Sequence, residues 1–460
     1  MREVVDKKVL VLGLARSGLA VARLLHQQGA RVLGSDRKPG EALDPQVREL
    51  QNLGMEIESG GHSCENLIGV DFVVVSPGIP DDIPILAEAQ SIGIPVYSEL
   101  EVASWWAEAP LVAITGSNGK TTTAALIGEI FARSGRRHQV AGNIGFPLSA
   151  SVRGVPREGV IVVEVSSFQL ERIETFQPRV GIILNITPDH LDRHGSMEAY
   201  ARLKAKLLMN QKTSDWAVLN ADDPRTAALK RESLAQTVLY SIQKELKGGV
   251  FIRKGWVISQ LGDREEMVLQ AREVGIPGPH NLSNSLAAVA AGYIMGVDLS
   301  ICAQGLSDFK GLAHRLELVR VLDGVKYVND SKATNVDAVK QALLTFSEPI
   351  LLIAGGRDKD GDFQQLRSLI SQRVRVLLLL GEAREKMSAA WADAVDTVLV
   401  RDLEEALHVA RARAFPGDCI LLSPACASFD MFRDFEHRGQ VFKEIVQDLD
   451  ARKRQESTHP

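Results

Sequence analysis

The stretch Leu111-Val-Ala-Ile-Thr-Gly-Ser-Asn-Gly-Lys-Thr-Thr-Thr123 decides the fold of this 460-residue chain. Its apolar start predicts a buried strand, two glycines follow, and the residues from Lys120 predict a helix. Backbone N–H groups at such a helix N-terminus form an anion site, where Lys120 can reach β- and γ-phosphates and Thr121 can ligate Mg²⁺. The pattern departs from a standard phosphate loop only at Ile114, which occupies the first glycine position. The alternative is a glycine turn that merely begins a helix.

Strand and helix patterns alternate along almost the whole chain, which predicts an α/β fold with parallel sheets. Single cores stop growing at roughly 250–300 residues, so this length predicts two or three domains. We expect an N-terminal Rossmann-like domain at 1–109, a central phosphate-loop (P-loop) mononucleotide-binding domain with a parallel sheet at 110–313, and a C-terminal Rossmann-like open sheet at 314–460.

The other predicted elements follow from short apolar runs and helical periodicity. Predicted strands are 9–12, 31–35, two that end at 75 and 97, 160–165, 180–184, 217–219, 326–328, 350–353, 374–380, 397–400 and 419–422. A hairpin is predicted at 249–260 around Lys254-Gly255. Helices are predicted at 19–28, 281–295 and 299–306.

Composition excludes several classes of protein. The net charge of −5 gives no support to a nucleic-acid groove, and no apolar run approaches the roughly 20 residues of a membrane helix. The four cysteines show no paired metal-type spacing, which favours reduced thiols in the cytoplasm. We therefore expect a cytoplasmic protein with neither nucleic-acid binding nor membrane insertion.

A second glycine-containing loop, at 13–18, resembles a dinucleotide-binding fingerprint in which Ala15 replaces the middle glycine. Asp36 ends the next predicted strand, where an acid that contacts a ribose or a base is expected. This loop leaves open an NAD-dependent oxidoreductase, or a tight strand–helix turn without a ligand. NAD binding without ATP turnover would favour the oxidoreductase.

Several polar residues follow predicted strands, where the sheets should form ligand crevices. Glu164 could hold Mg²⁺ beside the phosphate loop or could cap a helix, and His190 could ligate or orient a metal or could be an ordinary surface residue. Arg315 could stabilise a γ-phosphate or form an interdomain salt bridge. The polar segments 329–335 and 423–430 also follow predicted strands. Within the second segment, Cys426 is interpreted as a small buried packing residue and not as a nucleophile, because no paired base can be named.

Seven motifs in this order resemble the Mur ligases, which build the peptide of bacterial cell-wall precursors. They are TGSNGKTT from Thr115, GNIG from Gly142, SSFQLE from Ser166, NITPDHLDRH from Asn185, HR from His314, NDSKATN from Asn329 and SPACASFDMF from Ser423. The set is most similar to the D-glutamate-adding members of the family.

The resemblance implies an ATP-dependent amide-forming ligase. It would phosphorylate the carboxylate of UDP-N-acetylmuramoyl-L-alanine, and D-glutamate would attack the resulting acyl phosphate. ATP and Mg²⁺, with two ions, are the expected cofactors, and a monomer is the expected state. A nucleotide switch that signals rather than synthesises is the remaining competitor; the guanine-selecting NKxD signature is absent from the sequence.

The resemblance also assigns roles to individual residues. Catalytic roles are expected for Lys120, Glu164, His190, Lys204 and Arg315. ATP contacts are expected at Gly116, Asn118, Gly119, Lys120, Thr121, Thr122, Asn281, Asn284, Arg315, Asp330 and Lys332. Metal ligands are expected at Thr121, Glu164, His190 and a carbamylated Lys204.

The expected substrate contacts fall into two groups. The uridine substrate would contact Arg16 and Ser17 (diphosphate), Asp36 and Arg37 (uracil), Ser76 and Gly78 (a second diphosphate loop), Asn143 and His190. D-Glutamate would contact Thr334, Lys359, Ser428, Phe429 and Phe435. From its helical pattern alone, Lys204 would be a solvated surface lysine.

Overall fold

A computed structural model of the chain describes residues 2–456 except 44, 144, 263 and 392. Three sheets, mostly parallel, organise the described residues and confirm the predicted α/β fold. No helix in these ranges is both long enough and apolar enough to cross a membrane.

The first sheet has five parallel strands in the order β3-β2-β1-β4-β5. Its elements are β1 (Lys8–Leu12), α1 (Arg16–Gln27), β2 (Arg31–Asp36), α2 (Gln46–Asn52), β3 (Glu56–Ser59), β4 (Phe72–Val75), α3 (Pro84–Ser91), β5 (Val96–Ser98) and α4 (Glu99–Ser104). The strand order reverses at β1, so a crevice opens at the carboxyl ends of β1 and β4.

The second sheet has nine strands in the order β14-β13-β12-β11-β10-β9-β6-β8-β7. The strands from β7 to β12 in this order are parallel, and β12, β13 and β14 form an antiparallel extension. The strands are β6 (Leu111–Thr115), β7 (His138–Gly142), β8 (Val160–Glu164), β9 (Val180–Ile183), β10 (Trp216–Asn220), β11 (Gln236–Ser241), β12 (Gly249–Arg253), β13 (Trp256–Gln260) and β14 (Glu266–Gln270).

Helices accompany this sheet because its central strands are apolar on both faces and need cover. Every residue of β6, β8 and β9 is buried. The helices are α5 (Lys120–Arg133), α6 (Leu148–Ser151), α7 (Ser167–Leu170), α8 (Leu191–His194), α9 (Met197–Ala205), α10 (Pro224–Ala228), α11 (Pro279–Ile294) and α12 (Leu299–Asp308).

The third sheet has six strands in the order β15-β16-β20-β17-β18-β19, parallel except for β15 at one edge. Its elements are β15 (Glu317–Leu322), β16 (Val325–Asn329), α13 (Val336–Thr345), β17 (Ile350–Gly355), α14 (Arg367–Arg373), β18 (Val374–Leu380), α15 (Arg384–Trp391), β19 (Asp396–Leu399), α16 (Leu403–Arg413), β20 (Cys419–Leu422) and α17 (Phe435–Glu456).

The chain packs as two compact units. The first comprises Met1–Ile186, Ser196–Glu273 and Ser283–Asp308, and therefore holds the first two sheets. The second comprises Thr187–Gly195, Val274–Leu282 and Phe309–Pro460, and holds the third sheet. The three expected domains and their boundaries stay a prediction.

Two buried carboxylates of α4 anchor segments of the second sheet within the first unit. Glu101 accepts hydrogen bonds from the backbone N–H groups of Glu174, Thr175 and Phe176 at 2.9–3.0 Å. Burial alone would raise the pKa of Glu101, but these donors, led by the Thr175 hydroxyl, lower it below its usual value. Glu99 accepts from the Ser149 N–H and hydroxyl at 2.7 and 2.6 Å, and burial raises its pKa.

Candidate functional site

The loop between β6 and α5 has the geometry of a phosphate cradle. Gly116 and Gly119 have φ values of +155° and +87°, and Gly119 precedes the first residue of the helix. The Asn118 N–H donates to Asn185 Oδ1 at 2.8 Å, and Asn185 Nδ2 returns a hydrogen bond to the Asn118 carbonyl at 3.0 Å. A Cβ at Gly119 would lie 2.4 Å from Asn284 Oδ1, so only glycine fits there.

Two lysines meet on one carbonyl of this loop. Lys120 Nζ donates to the carbonyls of Gly116 and Ser117 at 2.8 and 2.7 Å. Lys204 Nζ donates to the same Gly116 carbonyl at 2.8 Å and lies 4.5 Å from the centre of the Tyr200 ring. Lys204 is only 1% exposed, so the solvated surface position favoured by its helical pattern is wrong. Two lysine amines therefore lie at the base of the loop.

The start of α5 adds to this positive field. The helix runs for 14 residues, no side chain caps its N-terminus, and its first turn contains no acidic residue. Backbone N–H groups at an uncapped N-terminus attract anions, and the helix dipole supports them. Thr121 and Thr122 lie in this first turn. Glycines at which a Cβ would clash, the two lysines and a helix N-terminus without a side-chain cap together fit a polyphosphate.

Glu164 ends β8, the strand that pairs directly with β6, and is 3% exposed. Asn143 Nδ2 donates to Glu164 Oε1 at 3.0 Å, and the Asn143 N–H donates to the Glu164 carbonyl at 2.9 Å. The carboxylate therefore lies in a fixed orientation at the same sheet edge as the phosphate loop. No group of three or more His, Cys, Asp or Glu side chains among the described residues forms a metal site. Oxygen atoms of Thr121 and Glu164 are nevertheless of the kind that Mg²⁺ prefers.

The loop after β1 is held tightly against β4. Ser76 Oγ donates to the Gly13 carbonyl at 2.7 Å, and a Cβ at Gly18 would lie 1.8 Å from that same oxygen. Both oxygens of Asp36 accept backbone N–H groups, from Leu14 at 2.7 Å and from Lys38 at 2.9 Å. Asp36 thus shapes the loop as well as the crevice.

The remaining residues expected to bind the uridine nucleotide lie around the same crevice. Arg16, Arg37 and Gly78 are exposed, while Ser17 is half-buried. Arg16 and Ser17 begin α1, so this helix N-terminus lies beside the glycine loop.

In the second unit, polar residues gather where β16 and β20 end. Ser423 Oγ donates to Asp330 Oδ2 at 2.9 Å, and the Leu316 N–H donates to Asp330 Oδ1 at 3.2 Å. Burial raises the pKa of Asp330 to about 7, against the opposing effects of these donors and of the Arg315 charge. The carboxyl is therefore partly protonated at neutral pH and would ionise when a cationic group approaches.

Arg438, on α17, is a buried arginine that the sequence analysis missed. It is 2% exposed, and its guanidinium donates to the Ser331 hydroxyl and carbonyl at 3.0 and 2.9 Å and to the carbonyls of Cys426 and Ala427 at 3.2 and 3.4 Å. Burial lowers the pKa of Arg438 to about 10. The side chain ties the loop after β16 to the loop after β20. No local pattern distinguishes it from Glu436, Glu444 and Asp448, which are exposed charges on the same helix.

Three of the expected D-glutamate residues, Thr334, Ser428 and Phe429, lie on these loops. The other two lie elsewhere: Phe435 begins α17, and Lys359 follows β17. Lys332 Nζ lies 3.5 Å from the centre of the Phe435 ring, at the start of α17. Ser428 is buried, and Phe429 is 62% exposed. Thr334 is half-buried and follows the same β16 loop.

Lys359 is exposed, and no hydrogen bond or ion pair connects it to another described residue. Its segment is nevertheless fixed nearby, because Arg357 and Ala427 exchange backbone hydrogen bonds at 2.9 and 3.0 Å.

The segment 187–195 belongs to the second unit. Thr187 Oγ1 lies 3.5 Å from Asp337 Oδ2, and Asn335 Nδ2 lies 3.5 Å from Asp189 Oδ2. His190 has a φ of +53°, and its Nε2 lies 3.7 Å from Asp189 Oδ2. This places His190 beside the start of α13.

Asn281 and Asn284 lie on α11 and are both buried. Asn281 Nδ2 donates to the Pro277 carbonyl at 2.7 Å. Asn284 closes the phosphate loop from one side through its contact with Gly119.

The fold occurs in solved ligase structures. A pseudomurein peptide ligase type C from Methanothermus fervidus has a TM-score of 0.63 at 21% identity, covering 96% of this chain and 100% of that one. The UDP-N-acetylmuramate-alanine ligase of Thermotoga maritima has a TM-score of 0.61 at 21% identity, covering 96% and 99%. At this level of identity the likeness concerns the fold alone.

Sequence relatives are much more similar. The UDP-N-acetylmuramoylalanine--D-glutamate ligase of Pelotomaculum thermopropionicum is 48% identical over 451 residues, 98% of this chain and 99% of the relative. The enzyme of the same name from Geotalea uraniireducens is 45% identical over 448 residues, 97% and 99% of the two chains.

Three family models match consecutive parts of the sequence. The Mur ligase MurD-like N-terminal domain matches residues 7–98, the Mur ligase middle domain 114–292, and the Mur ligase glutamate ligase domain 314–426. These matches and the near-full-length relatives lead to one conclusion: this chain belongs to the Mur ligase family.

Proposed function

We propose that this chain is an ATP-dependent ligase that adds D-glutamate to UDP-N-acetylmuramoyl-L-alanine in peptidoglycan precursor synthesis. The relatives that cover almost the whole chain carry the name of this activity. The structural observation that carries the proposal is the convergence of Lys120 and Lys204 on the Gly116 carbonyl, beside the fixed carboxylate of Glu164.

ATP, when bound, supplies the phosphoryl group that turns the alanyl carboxylate into an acyl phosphate, and the amine of D-glutamate then displaces phosphate to form the amide. The cradle formed by Gly116, Gly119 and the N-terminus of α5 would hold the triphosphate. Lys120 would leave its two loop carbonyls and donate to the phosphates, which lowers the repulsion between carboxylate and triphosphate. Asn284 packs against this loop at Gly119.

We propose that Thr121 and Glu164 hold Mg²⁺, that a carbamylated Lys204 is a ligand of a second ion, and that His190 also acts as a metal ligand. Lys204 supports this idea because it is fully buried, so its amine loses hydration and is readily kept neutral. The nitrogen lone pair of a neutral amine attacks CO₂ to form an N–C bond, and one amine proton is released to solvent. The resulting carbamate retains one N–H for the Gly116 carbonyl and gains anionic oxygens. Those oxygens would be suitable ligands for a hard cation.

The second unit would bind the amino acid. Arg438 ties together the two loops that carry Thr334 and Ser428, which supports a common role for these two residues in binding D-glutamate. Phe435 and Lys332 form a cation–π pair at the edge of these loops. Arg315, Asp330 and Lys332 would act on the nucleotide. The monomeric state and the cytoplasmic location stay predictions.

The proposal is tested by phosphate release from ATP in the presence of UDP-N-acetylmuramoyl-L-alanine, measured across a panel of amino acids. We expect release to require both the uridine nucleotide and the amino acid, with D-glutamate preferred. Omission of either substrate serves as the control. Equal or better turnover with L-alanine, diaminopimelate or lysine would contradict the proposal.

A further inference from the structure

His62 lies in the loop after β3. Backbone hydrogen bonds connect this loop to the end of β2 and to the residues just after it. The Gly60 N–H lies within hydrogen-bond distance of the carbonyls of Asp36 and Lys38, at 3.0 and 2.9 Å, and the Gly61 N–H donates to the Asp36 carbonyl at 3.3 Å. The loop therefore lies against Asp36 at the carboxyl edge of the first sheet. In open α/β sheets this edge is where ligands bind. His62 was not among the residues assigned a role from the sequence.

Hydrogen-bond accounting fixes the tautomer of the His62 ring. Ser35 Oγ lies 2.6 Å from Glu58 Oε2, 3.0 Å from the Gly61 carbonyl oxygen and 2.8 Å from His62 Nδ1. An ionised carboxylate can only accept, and Glu58 is the nearer of the two obligate acceptors, so the single Ser35 proton goes to Glu58 rather than to the Gly61 carbonyl. Ser35 Oγ must then accept from His62, which places the ring proton on Nδ1. In the neutral ring, Nε2 is an unprotonated acceptor.

The charge state of His62 agrees with that assignment. Burial, aided by the Arg37 charge, lowers the pKa of His62, while the negative charges of Asp36 and Glu58 oppose the shift. The ring is therefore neutral at pH 7. Within the described residues, Nε2 has no hydrogen-bond partner, and the ring is only half-buried, so part of it remains open to a ligand.

We propose that His62 recognises the base of the uridine nucleotide, with its Nε2 accepting a hydrogen bond from the uracil N3–H. This inference rests on the proposed function, which supplies the uridine substrate. Uracil presents a donor, N3–H, between two carbonyl acceptors, whereas cytosine presents an acceptor at N3. The imidazole complements the uracil donor, and the exposed Arg37 guanidinium, which makes no hydrogen bond to another described residue, can donate to a carbonyl. Glu58 and Ser35 are positioning residues that hold the tautomer.

Binding of UDP and CDP to His62→Ala tests the inference by calorimetry. The variant should bind UDP about three- to tenfold more weakly, the usual worth of one neutral hydrogen bond, while its affinity for CDP should change less than twofold. His26→Ala, a half-buried histidine near the end of α1, is the matched control and should leave both affinities unchanged. An equal loss for UDP and CDP, or no loss for UDP, would overturn the assignment.

Two further measurements keep the test independent of folding and of the proposed function. Long-range ¹H–¹⁵N NMR of the unliganded protein should show His62 with its proton on Nδ1. In Ser35→Ala the ring should lose this preference for the Nδ1–H tautomer. An Nε2–H tautomer in the native chain would refute the hydrogen-bond assignment through Ser35. In the phosphate-release assay, His62→Ala should raise KM for UDP-N-acetylmuramoyl-L-alanine with kcat unchanged. If the native chain fails to turn over that substrate, the proposed function fails, whereas the UDP and CDP affinities still decide the role of His62.

Discussion

Replacing Gly119 by alanine tests the phosphate cradle at its tightest point. The left-handed φ of +87° costs a residue with a Cβ about 1–2 kcal/mol. The new methyl group would also lie 2.4 Å from Asn284 Oδ1, and Asn284 is only 4% exposed, so its amide has little room to move. Overpacking of this kind costs about 1–3 kcal/mol. Relief of the clash should displace the loop N–H groups by about an ångström, which lowers kcat/KM for ATP on the order of 10²-fold.

Gly135 provides the matched control at the other end of the same helix. It has a φ of +70°, and a Cβ there would meet no atom within 4 Å. Gly135→Ala should therefore carry the backbone strain alone, with full activity. Denaturant unfolding and steady-state phosphate release are measured for both variants. If the two lose equal stability and keep similar activity, the steric account of the cradle is wrong.

Three other substitutions probe separate parts of the first unit. Lys120→Ala should lower kcat on the order of 10²–10³-fold or more with little effect on unfolding, and an active variant would remove the main catalytic assignment. Lys204→Ala should lose on the order of 10²–10³ in rate, and added acetate or propionate should restore part of that rate. Lys206→Ala should stay active, because the Lys206 amine donates to the backbone carbonyl of Glu171 and not to the phosphate loop. An inactive Lys204→Ala variant that no carboxylate restores would count against the carbamate. Glu101→Gln should cost about 1–3 kcal/mol of unfolding free energy at pH 7. Because the folded-state pKa of Glu101 is lowered from its usual 4.5, that contribution is present above this pH and is lost as the pH falls through the folded-state value, so native and variant stabilities should converge in acid. A constant difference across the pH range would contradict this origin.

Local patterns were sufficient where short-range chemistry decides the structure. The apolar run before Gly116 forms β6, and the predicted hairpin at 249–260 forms as β12 and β13, with left-handed φ values at Lys254 and Gly255. The third strand of that extension, β14, was not predicted, because its apolar residues are few and its pairing with β13 is a tertiary effect.

The residues that sequence patterns misplaced are those whose environment comes from distant segments. Lys204 belongs to a basic, surface-like helix pattern, but the phosphate loop 88 positions earlier covers it. Arg438 likewise gains its buried partners from loops 11 to 107 positions away. Periodicity assigns a side chain to a face of its helix, but it carries no information on which loop lies against that face.

Transfer of isotope from the carboxylate tests the central claim most directly. UDP-N-acetylmuramoyl-L-alanine labelled with ¹⁸O in both carboxylate oxygens is incubated with ATP, D-glutamate and the native chain. If the carboxylate attacks the γ-phosphorus, one labelled oxygen leaves with the inorganic phosphate and the other stays in the new amide. Mass spectrometry should therefore find one ¹⁸O per phosphate released with each amide formed. Unlabelled phosphate, with both labelled oxygens retained in the uridine nucleotide, would contradict an acyl-phosphate ligase.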